Sequence, residues 1–196
     1  MMFGMRGAMI ARKNVLPYDY AVEYLESSTS GAEYIDTGIV PVTGITYKVD
    51  LYARQNAGAI FGAYQGGSYL QISFSGNWCL YHSSPSNAYG AQFEINEQHH
   101  IELGPKGYFV DAEQKNAVIG TRPISARTVY LYNRSGGDML ARSLRIMKFV
   151  ATNADGVDVC RLIPCVKEGV PCFYDDVSKT FKYSVGGGAF IAGPRI

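Results

Sequence analysis

Two pairs of neighbouring carboxylates in the sequence are candidates for acid–base catalysis, and the spacing of each pair decides whether it is suitable. Two carboxylates that lie two residues apart on a strand share one face and could cleave a glycosidic bond as nucleophile and acid. Glu33 and Asp36 are three apart, so a strand places them on opposite faces. Asp111 and Glu113 have the right spacing, but Glu113 lies in the polar stretch DAEQKN, typical of a solvated hairpin. We therefore predict no catalytic residues and no enzyme activity.

The histidines and cysteines are the candidate metal ligands. His99 and His100 are adjacent, so a strand would turn one inward and one outward, and they could not chelate one ion together. The cysteines lack the CxxC spacing of zinc sites, and we expect four buried, reduced thiols in preference to a zinc site or a disulfide. They are Cys79, Cys160, Cys165 and Cys172. We predict no metal and no cofactor; Ca²⁺ stays an open alternative, although no Asp-rich loop indicates it.

An aromatic and amide cluster is the strongest candidate for binding. Flat aromatic rings suit the C–H faces of sugars, and amide groups suit their hydroxyls. The predicted carbohydrate-binding residues are Tyr64, Tyr69, Asn77, Trp78, Tyr81, Asn87 and Tyr89. The alternative is that Trp78 is a core residue and that SSPSN is an ordinary loop.

The elements that must position these residues are short strands. The stretch 45–54 alternates strictly: Ile45, Tyr47, Val49, Leu51 and Ala53 share one face, and polar residues share the other. More than a dozen such runs follow one another, with hairpin signals at 75–77, 104–107 and 153–156 and no long helical pattern. We predict an all-β, two-sheet antiparallel β-sandwich.

Composition excludes several classes of partner. The net charge is +1, so the protein has no strong overall positive charge that would attract nucleic acid. The sequence also contains no run of about 18 apolar residues, the length that a membrane-spanning helix needs. The longest apolar stretch near the N-terminus, residues 7–11, is too short for a secretory signal.

Residues 1–20 differ from the sandwich domain that we predict over 21–196. They contain four of the six methionines and three basic residues against one acid. The segment is either a disordered start or an extended arm that becomes ordered on a partner, with methionines making adaptable apolar contacts. The predicted docking residues are Met5, Arg6, Met9, Arg12 and Lys13.

Two stretches carry a resemblance to a known group of domains: VEYLESSTSGAEYIDTGIVP (22–41) and the C-terminal 143–194. They resemble concanavalin A-like, laminin-G-like domains of phage and prophage structural proteins. The matching positions in the second stretch are Arg161, Ile163, Pro164, Cys165, Tyr174, Asp175, Phe181, Gly186, Gly188, Phe190 and Gly193. The sequence departs from that group at Leu162 and at 175–178.

The resemblance implies a jelly-roll sandwich and a non-enzymatic virion structural or decoration protein, docked through its N-terminal arm. Its partners would be other virion proteins of capsid or tail. It would be made in the bacterial cytoplasm and exposed on the particle, and a homo-oligomer stays open. The first alternative is a carbohydrate-binding module for attachment to host-surface glycans. The second alternative is a glycoside hydrolase of the same fold. The sequence disfavours it, because no strand carries a suitable pair of carboxylates on one face. Because the first and last segments both carry the resemblance, we expect them to be neighbouring strands.

Overall fold

The computed structural model describes residues 16–54, 58–65, 68–75, 78–83, 87–116, 127–134 and 141–196. Within these ranges the secondary structure is entirely β, with seventeen strands. No helix in the described ranges is long and apolar enough to cross a membrane. The strands are β1 (Tyr20–Ala21), β2 (Leu25–Glu26), β3 (Ile35–Asp36), β4 (Thr46–Ala53), β5 (Gly58–Gln65), β6 (Ser68–Ser75), β7 (Trp78–Ser83), β8 (Asn87–Gln92), β9 (Gln98–Gly104), β10 (Gly107–Val110), β11 (Glu113–Asn116), β12 (Tyr130–Leu131), β13 (Leu144–Thr152), β14 (Asp158–Lys167), β15 (Val170–Asp175), β16 (Thr180–Lys182) and β17 (Ile191–Ala192).

The described strands form two antiparallel sheets. The large sheet runs in the order β11-β10-β9-β4-β13-β14-β15-β16, and β1, β2 and β17 join it beside β13 and β14. The small sheet runs in the order β3-β12-β5-β6-β7-β8. One cluster of buried side chains contains residues of both sheets, so the two sheets share a single core. The prediction of an all-β, two-sheet antiparallel sandwich is confirmed.

Strand β4 shows how the sequence builds this core. Tyr47, Val49, Leu51 and Ala53 are at most 1% exposed, while the residues between them are half-buried. The predicted alternation is therefore confirmed. It divides the central strand of the large sheet into an apolar face, which packs on the small sheet, and a polar face.

Buried aromatic side chains join the two sheets. The ring of Phe61 in β5 lies 5.7 Å from that of Tyr47 and 6.0 Å from that of Phe149 in β13. The hydroxyl of Tyr108 in β10 donates to the carbonyl of Cys79 in β7 at 3.1 Å. The Tyr132 hydroxyl, next to β12, donates to the Leu25 carbonyl in β2 at 2.6 Å. Buried polar groups need such partners, so these bonds tie the sheets at defined points.

The two ends of the described chain close the large sheet together. Strand β17 pairs with β2, and a bridge joins Val22 to Arg195, as expected from the shared resemblance. Two of the C-terminal glycines lie so close to the 27–33 loop that a side chain would not fit. A Cβ on Gly186 would lie 1.8 Å from the Ala32 carbonyl oxygen, and one on Gly188 would lie 2.2 Å from the Glu33 carboxylate. These glycines therefore make room for the backbone and the buried carboxylate of the 27–33 loop.

The other motif in the first stretch also has a structural role. The sequence Asp36-Thr37-Gly38 predicts an Asx-type turn at the end of a strand. Gly38 donates its N–H to the Asp36 carboxylate at 2.9 Å, which makes this turn after β3. Gly38 has a φ of 79°, a conformation that favours glycine.

Three strand assignments differ from the sequence-based expectation. Strand β8 covers 87–92, whereas the alternation of AQFEI predicts a strand at 91–95. The polar stretch DAEQKN, which is typical of a solvated hairpin, contributes β11, the second strand of the β10–β11 hairpin, although its sequence lacks the alternation of a strand. The sequence pattern also does not indicate β16. Strands β11 and β16 lie at opposite ends of the main strand order of the large sheet. Terminal strands of this kind are often polar and short, so they lack the apolar alternation that reveals a strand.

Candidate functional site

The predicted aromatic cluster falls mostly on strands β5–β8 of the small sheet. Asn77 lies outside the described residues, and the structure describes only the backbone at Tyr69, Trp78, Tyr81, Asn87 and Tyr89. In the Cα register, Tyr64 pairs with Tyr69, and Tyr81 pairs with both Ile72 and Tyr89. The backbone therefore brings the positions of this cluster onto adjacent strands, and their role in sugar binding stays a prediction. The predicted docking residues 5–13 also lie outside the described ranges.

Tyr64 is the member of this cluster whose side chain is described. The Arg134 guanidinium lies 4.8 Å from the centroid of its ring. The same guanidinium donates to the side-chain oxygen of Gln71 at 3.2 Å. Tyr64 is thus part of a cation–π contact on the small sheet.

A polar groove of about 450 Å³ crosses the outer face of the large sheet. We call it the sheet groove. Its lining residues come from four adjacent strands, β9, β4, β13 and β14, or from their ends. They are Lys48, Asp50, His100, Lys148, Val150, Thr152, Asp158 and Arg161. Lys48 and Asp50 are members of the polar face of β4, so the alternation that fills the core also places charges in this groove.

Complementary charges hold the groove side chains in place at its β4–β9 side. The Lys48 ammonium lies 3.1 Å from the Glu102 carboxylate across the strand pair. The His100 ring Nδ1 lies 2.5 Å from the Asp50 carboxylate, which faces it in the same register. Cross-strand pairs of this kind stabilise the sheet and orient both partners.

Arg161 and Asp158 form the corresponding pair at the β14 side. Arg161 donates from Nη2 at 2.5 Å and from Nε at 3.0 Å to one carboxylate oxygen of Asp158. The Thr152 hydroxyl donates to the other oxygen at 3.1 Å. The hydrogen bond from Arg161 is the largest cause that lowers the pKa of the Asp158 carboxyl, and it also raises the pKa of Arg161. Asp158 is therefore held in its ionised form.

The backbone of Arg161 is fixed from the opposite side by a buried carboxylate. Asp175 is 3% exposed and accepts hydrogen bonds from the N–H groups of Arg161 and Val177. Its second oxygen accepts from the Ser178 hydroxyl at 2.6 Å. Asp175 thus closes the β15–β16 turn and anchors β14 at the groove, a structural role for a residue of the C-terminal motif.

Two further hollows adjoin the sheet groove. One, of about 230 Å³, shares Lys48 and Thr152 with it and extends to Lys106 and Gly156. The other, of about 210 Å³, shares Lys148 and Arg161 and extends over an apolar floor. That floor includes Val22, Met147, Leu162, Ile163, Pro164 and Ile196. The sheet groove and the two hollows thus share lining residues across the large sheet, and we call the three together the depression, which is polar on the Lys106 side and apolar on the Pro164 side.

The two histidines lie on opposite faces, as predicted. His99 is 7% exposed, and its ring nitrogens contact the Asp111 carboxylate at 2.7 Å and the Glu94 carbonyl at 2.8 Å. His100 faces the groove, and the inward and outward expectation is confirmed.

Asp111 and Glu113, the candidate acid pair, contact different side chains in the structure. Asp111 has a φ of 53° in the turn before β11 and also accepts the N–H of His100 at 2.8 Å. The Glu113 side chain is 74% exposed and pairs with Lys115. The two carboxylates therefore have separate partners. Among the described residues, no group of three or more histidine, cysteine or acidic side chains could hold a metal ion.

The sheet groove is the feature that the sequence did not reveal. Lys48 and Asp50 were recognised as the polar face of a strand, and Arg161 only as part of a motif. A signal was present, because polar residues alternate along several strands. Which strands lie side by side depends on pairings between distant segments, and the sequence pattern contains no information on those.

Comparison with known proteins identifies a solved structure with a similar fold, but it does not assign this protein to a family. No protein-family model matches the sequence, and no curated protein matches it either. A solved structure from Bacteroides ovatus, a "putative carbohydrate binding protein", superposes with a TM-score of 0.59 at 13% sequence identity over 90% of this chain. The chain spans 62% of the length of that protein. At this identity the similarity shows a shared fold, and it leaves the predicted concanavalin A-like relationship unconfirmed.

A second solved structure is the full-length tailspike protein 2 of the Escherichia coli O157:H7 bacteriophage CAB120. The match has a TM-score of 0.35 and 10% identity, and covers 72% of this chain and 27% of the tailspike. A match at this level supports no conclusion about the protein.

Proposed function

We propose that this protein is a non-enzymatic carbohydrate-binding sandwich domain that holds an extended glycan across the outer face of its large sheet. The observation that carries the proposal is the depression formed by the sheet groove and the two hollows that share lining residues with it. The fold is also shared with the Bacteroides ovatus protein described above.

The chemistry of the sheet groove suits a ligand with many hydroxyl groups. Lysine, arginine and histidine side chains offer N–H donors, and Asp50 and Asp158 offer acceptors. Asp50 is already paired with His100 and Asp158 with Arg161, so a hydroxyl can insert beside either carboxylate without leaving it as an unpaired charge. A neutral or weakly charged glycan fits this balance of donors and acceptors better than a strongly charged polymer.

The shape of the depression suits a chain more than a single sugar. Adjacent strands lie about 4.8 Å apart, so a path from β9 across β4 and β13 to β14 covers about 14 Å. The apolar floor near Pro164 and Ile196 continues this path and offers contact for the C–H faces of sugar rings. The ligand would thus be the interior of a linear glycan.

The carboxylates of the groove support binding without hydrolysis. Cleavage of a glycosidic bond by a carboxylate pair needs one protonated acid beside one carboxylate. The lowered pKa of Asp158 keeps that group ionised, and Asp50 is engaged by His100. We accordingly keep the proposal that the domain is not an enzyme. Turnover of any member of a polysaccharide panel by the wild-type protein would contradict it.

A glycan array followed by affinity measurements tests the proposal. We expect wild-type protein to bind a linear glycan and Lys148→Ala and Asp50→Ala to bind at least tenfold more weakly. Lys115→Ala, on the distant strand β11, is the matched control and should bind normally. Trp78→Ala tests the aromatic cluster of the small sheet as the alternative site. Loss of binding in Trp78→Ala alone would move the site there, and no glycan bound at high density would refute the proposal.

The second proposal is a virion structural or decoration role, with the domain docked through its N-terminal arm and exposed on the particle. One observation favours it: the described end of that arm is held at one place on the large sheet. Tyr20 pairs with Val166, and the Asp19 carboxylate accepts the Gly169 N–H at 3.2 Å. The first described strand therefore lies beside the β14–β15 hairpin.

Deletion of residues 1–15 tests this role, because it leaves β1 in place. We expect the truncated protein to fold normally and to be lost from phage particles. Particles that still carry it, on capsid or tail, would exclude the docking arm. Because glycan binding needs only the sheet groove, the truncated protein should bind glycans like the wild type.

A further inference from the structure

Cys165 and Cys172 form a close pair of thiols on the outer face of the large sheet. The two residues lie directly opposite each other in β14 and β15, and their sulfur atoms are 3.7 Å apart. Both are free cysteines with fully buried side chains. They belong to a small cluster that is separate from the main core and contains Tyr174, with Tyr18 and Phe181 packed against it. We call it the thiol cluster.

The backbone spacing at this pair is compatible with a disulfide. Directly opposed residues of antiparallel strands have Cα atoms about 4.5–5.5 Å apart, which lies inside the range of about 4.4–6.8 Å found for bridged cysteines. Rotation of the two side chains is enough to bring the sulfur atoms into bonding distance.

We propose that Cys165 and Cys172 are an oxidisable dithiol that forms a cross-strand disulfide by exchange with a small disulfide such as oxidised glutathione. The thiolate of Cys172 attacks the external disulfide, forms a mixed disulfide and releases one glutathione thiolate. Cys165 then loses its proton and attacks the Cys172 sulfur, which releases the second glutathione. Two protein thiols are oxidised, and one external disulfide is reduced to two thiols.

The geometry of the pair favours these roles, because the Cys165 thiol also donates to the Cys172 carbonyl oxygen at 3.4 Å, which holds the proton on Cys165. The hydrogen bond from the Cys165 thiol is the largest cause that lowers the pKa of Cys172, and burial opposes it. The same bond, together with burial, raises the pKa of Cys165. Cys172 is therefore the group that attacks first, because a thiolate and not a thiol is the nucleophile.

Aromatic side chains that pack against the thiol cluster shield the sulfur atoms of Cys165 and Cys172 from solvent. Tyr18 lies with its ring centroid 5.7 Å from that of Tyr174, and Phe181 lies 5.2 Å from Tyr174 on the other side. Tyr18 belongs to the segment that leads into β1, so local opening of this segment uncovers the sulfurs. We expect a slow reaction in the wild type, at a rate set by that opening.

The other two cysteines provide an internal control. Cys79 and Cys160 are fully buried in the main core, and burial raises the pKa of each thiol to about 12. Neither faces another cysteine across its strand pairs: Cys79 pairs with Phe74 and Ala91, and Cys160 pairs with Ala151. Both should stay reduced while the domain is folded.

The experiment is oxidation of the full-length protein by glutathione disulfide at pH 8, followed by alkylation and peptide mass spectrometry. We expect one internal disulfide, Cys165–Cys172, with Cys79 and Cys160 alkylated. Cys165→Ser should stop at a glutathione adduct on Cys172. Tyr18→Ala should react at least tenfold faster to the same product. Four alkylated cysteines after prolonged exposure of both wild type and Tyr18→Ala would overturn the proposal, as would equal oxidation of Cys79 or Cys160.

A second measurement does not depend on the folding of any variant. Phenylarsine oxide bonds to two neighbouring thiols with release of one water molecule. Wild-type protein should bind one equivalent, and prior formation of the Cys165–Cys172 disulfide should block it. Failure to bind any phenylarsine oxide in the native state would show that the pair is inaccessible and would overturn the proposal.

Discussion

The sheet groove and the thiol cluster lie on the same outward face of strand β14, only four residues apart. At Arg161 the side chain is 48% exposed and shares its charge with Asp158 and Asp176. At Cys165 the side chain is fully buried beneath aromatic rings. The difference lies in the cover, because the segment 18–20 packs against the Cys165 half and no described residue covers the Arg161 half. One sheet face therefore provides a binding surface where it is open and a second, small core where the chain covers it.

The largest effect on stability is expected from removing the C-terminal segment, which packs into the core that lies beneath both the sheet groove and the thiol cluster. Deletion of residues 186–196 removes β17 and also Phe190, which is 4% exposed and lies 4.9 Å from the Tyr132 ring. We expect loss of cooperative unfolding, measured by circular dichroism during heating. Ile196→Ala is the control, because Ile196 is 73% exposed. An unchanged melting curve for the deletion would show that the two chain ends do not close the sheet.

A substitution in the thiol cluster should have the next largest effect. Tyr174→Ala removes a ring that is 7% exposed and contacts Tyr18 and Phe181. We expect the free energy of unfolding to fall by about 3 kcal/mol, as for other buried aromatic residues replaced by alanine. Urea denaturation measures it. Tyr183→Ala, at a ring that is 44% exposed, should cost much less, and equal losses would contradict a second core.

Substitutions in the sheet groove should leave stability nearly unchanged. Lys148→Ala alters an exposed side chain, so we expect a change within about 0.5 kcal/mol in the free energy of unfolding. The same urea titration measures it, beside the glycan affinity that we expect to fall. If Lys148→Ala cost as much stability as Tyr174→Ala, the groove would be a structural feature and not an open surface.

The smallest effect concerns the pH dependence of the groove. Hydrogen bonding from Arg161 lowers the pKa of Asp158 in the folded state, so the pair stabilises the fold above the unfolded pKa of this carboxyl. That contribution is lost as the pH falls through the folded pKa. We therefore expect wild type to melt slightly higher than Asp158→Asn at pH 6 and this difference to shrink as the pH falls toward 2, measured by thermal denaturation in low salt. If the difference in melting temperature between wild type and Asp158→Asn grew on acidification, the pKa of Asp158 would be raised in the folded state and not lowered.

The local features of the fold could be predicted because they depend on neighbouring residues. The alternation in 45–54, the Asx-type turn at Asp36, the two faces of His99 and His100, and the turn signals at 104–107 and 153–156 all have their counterparts in the structure. The strands β11 and β16 were missed, because terminal strands that pair on one side need little apolar alternation.

The sequence alone determined that the chain alternates its side chains along short strands and therefore builds two stacked antiparallel sheets around one apolar interior. Only the tertiary structure decided that β9, β4, β13 and β14 lie side by side, that their polar faces join into one groove, and that Tyr18 covers Cys165 and Cys172. The physical reason is the range of the interactions involved. Side-chain alternation follows from the backbone geometry of each strand, whereas the groove and the thiol cluster depend on contacts between segments up to 150 residues apart.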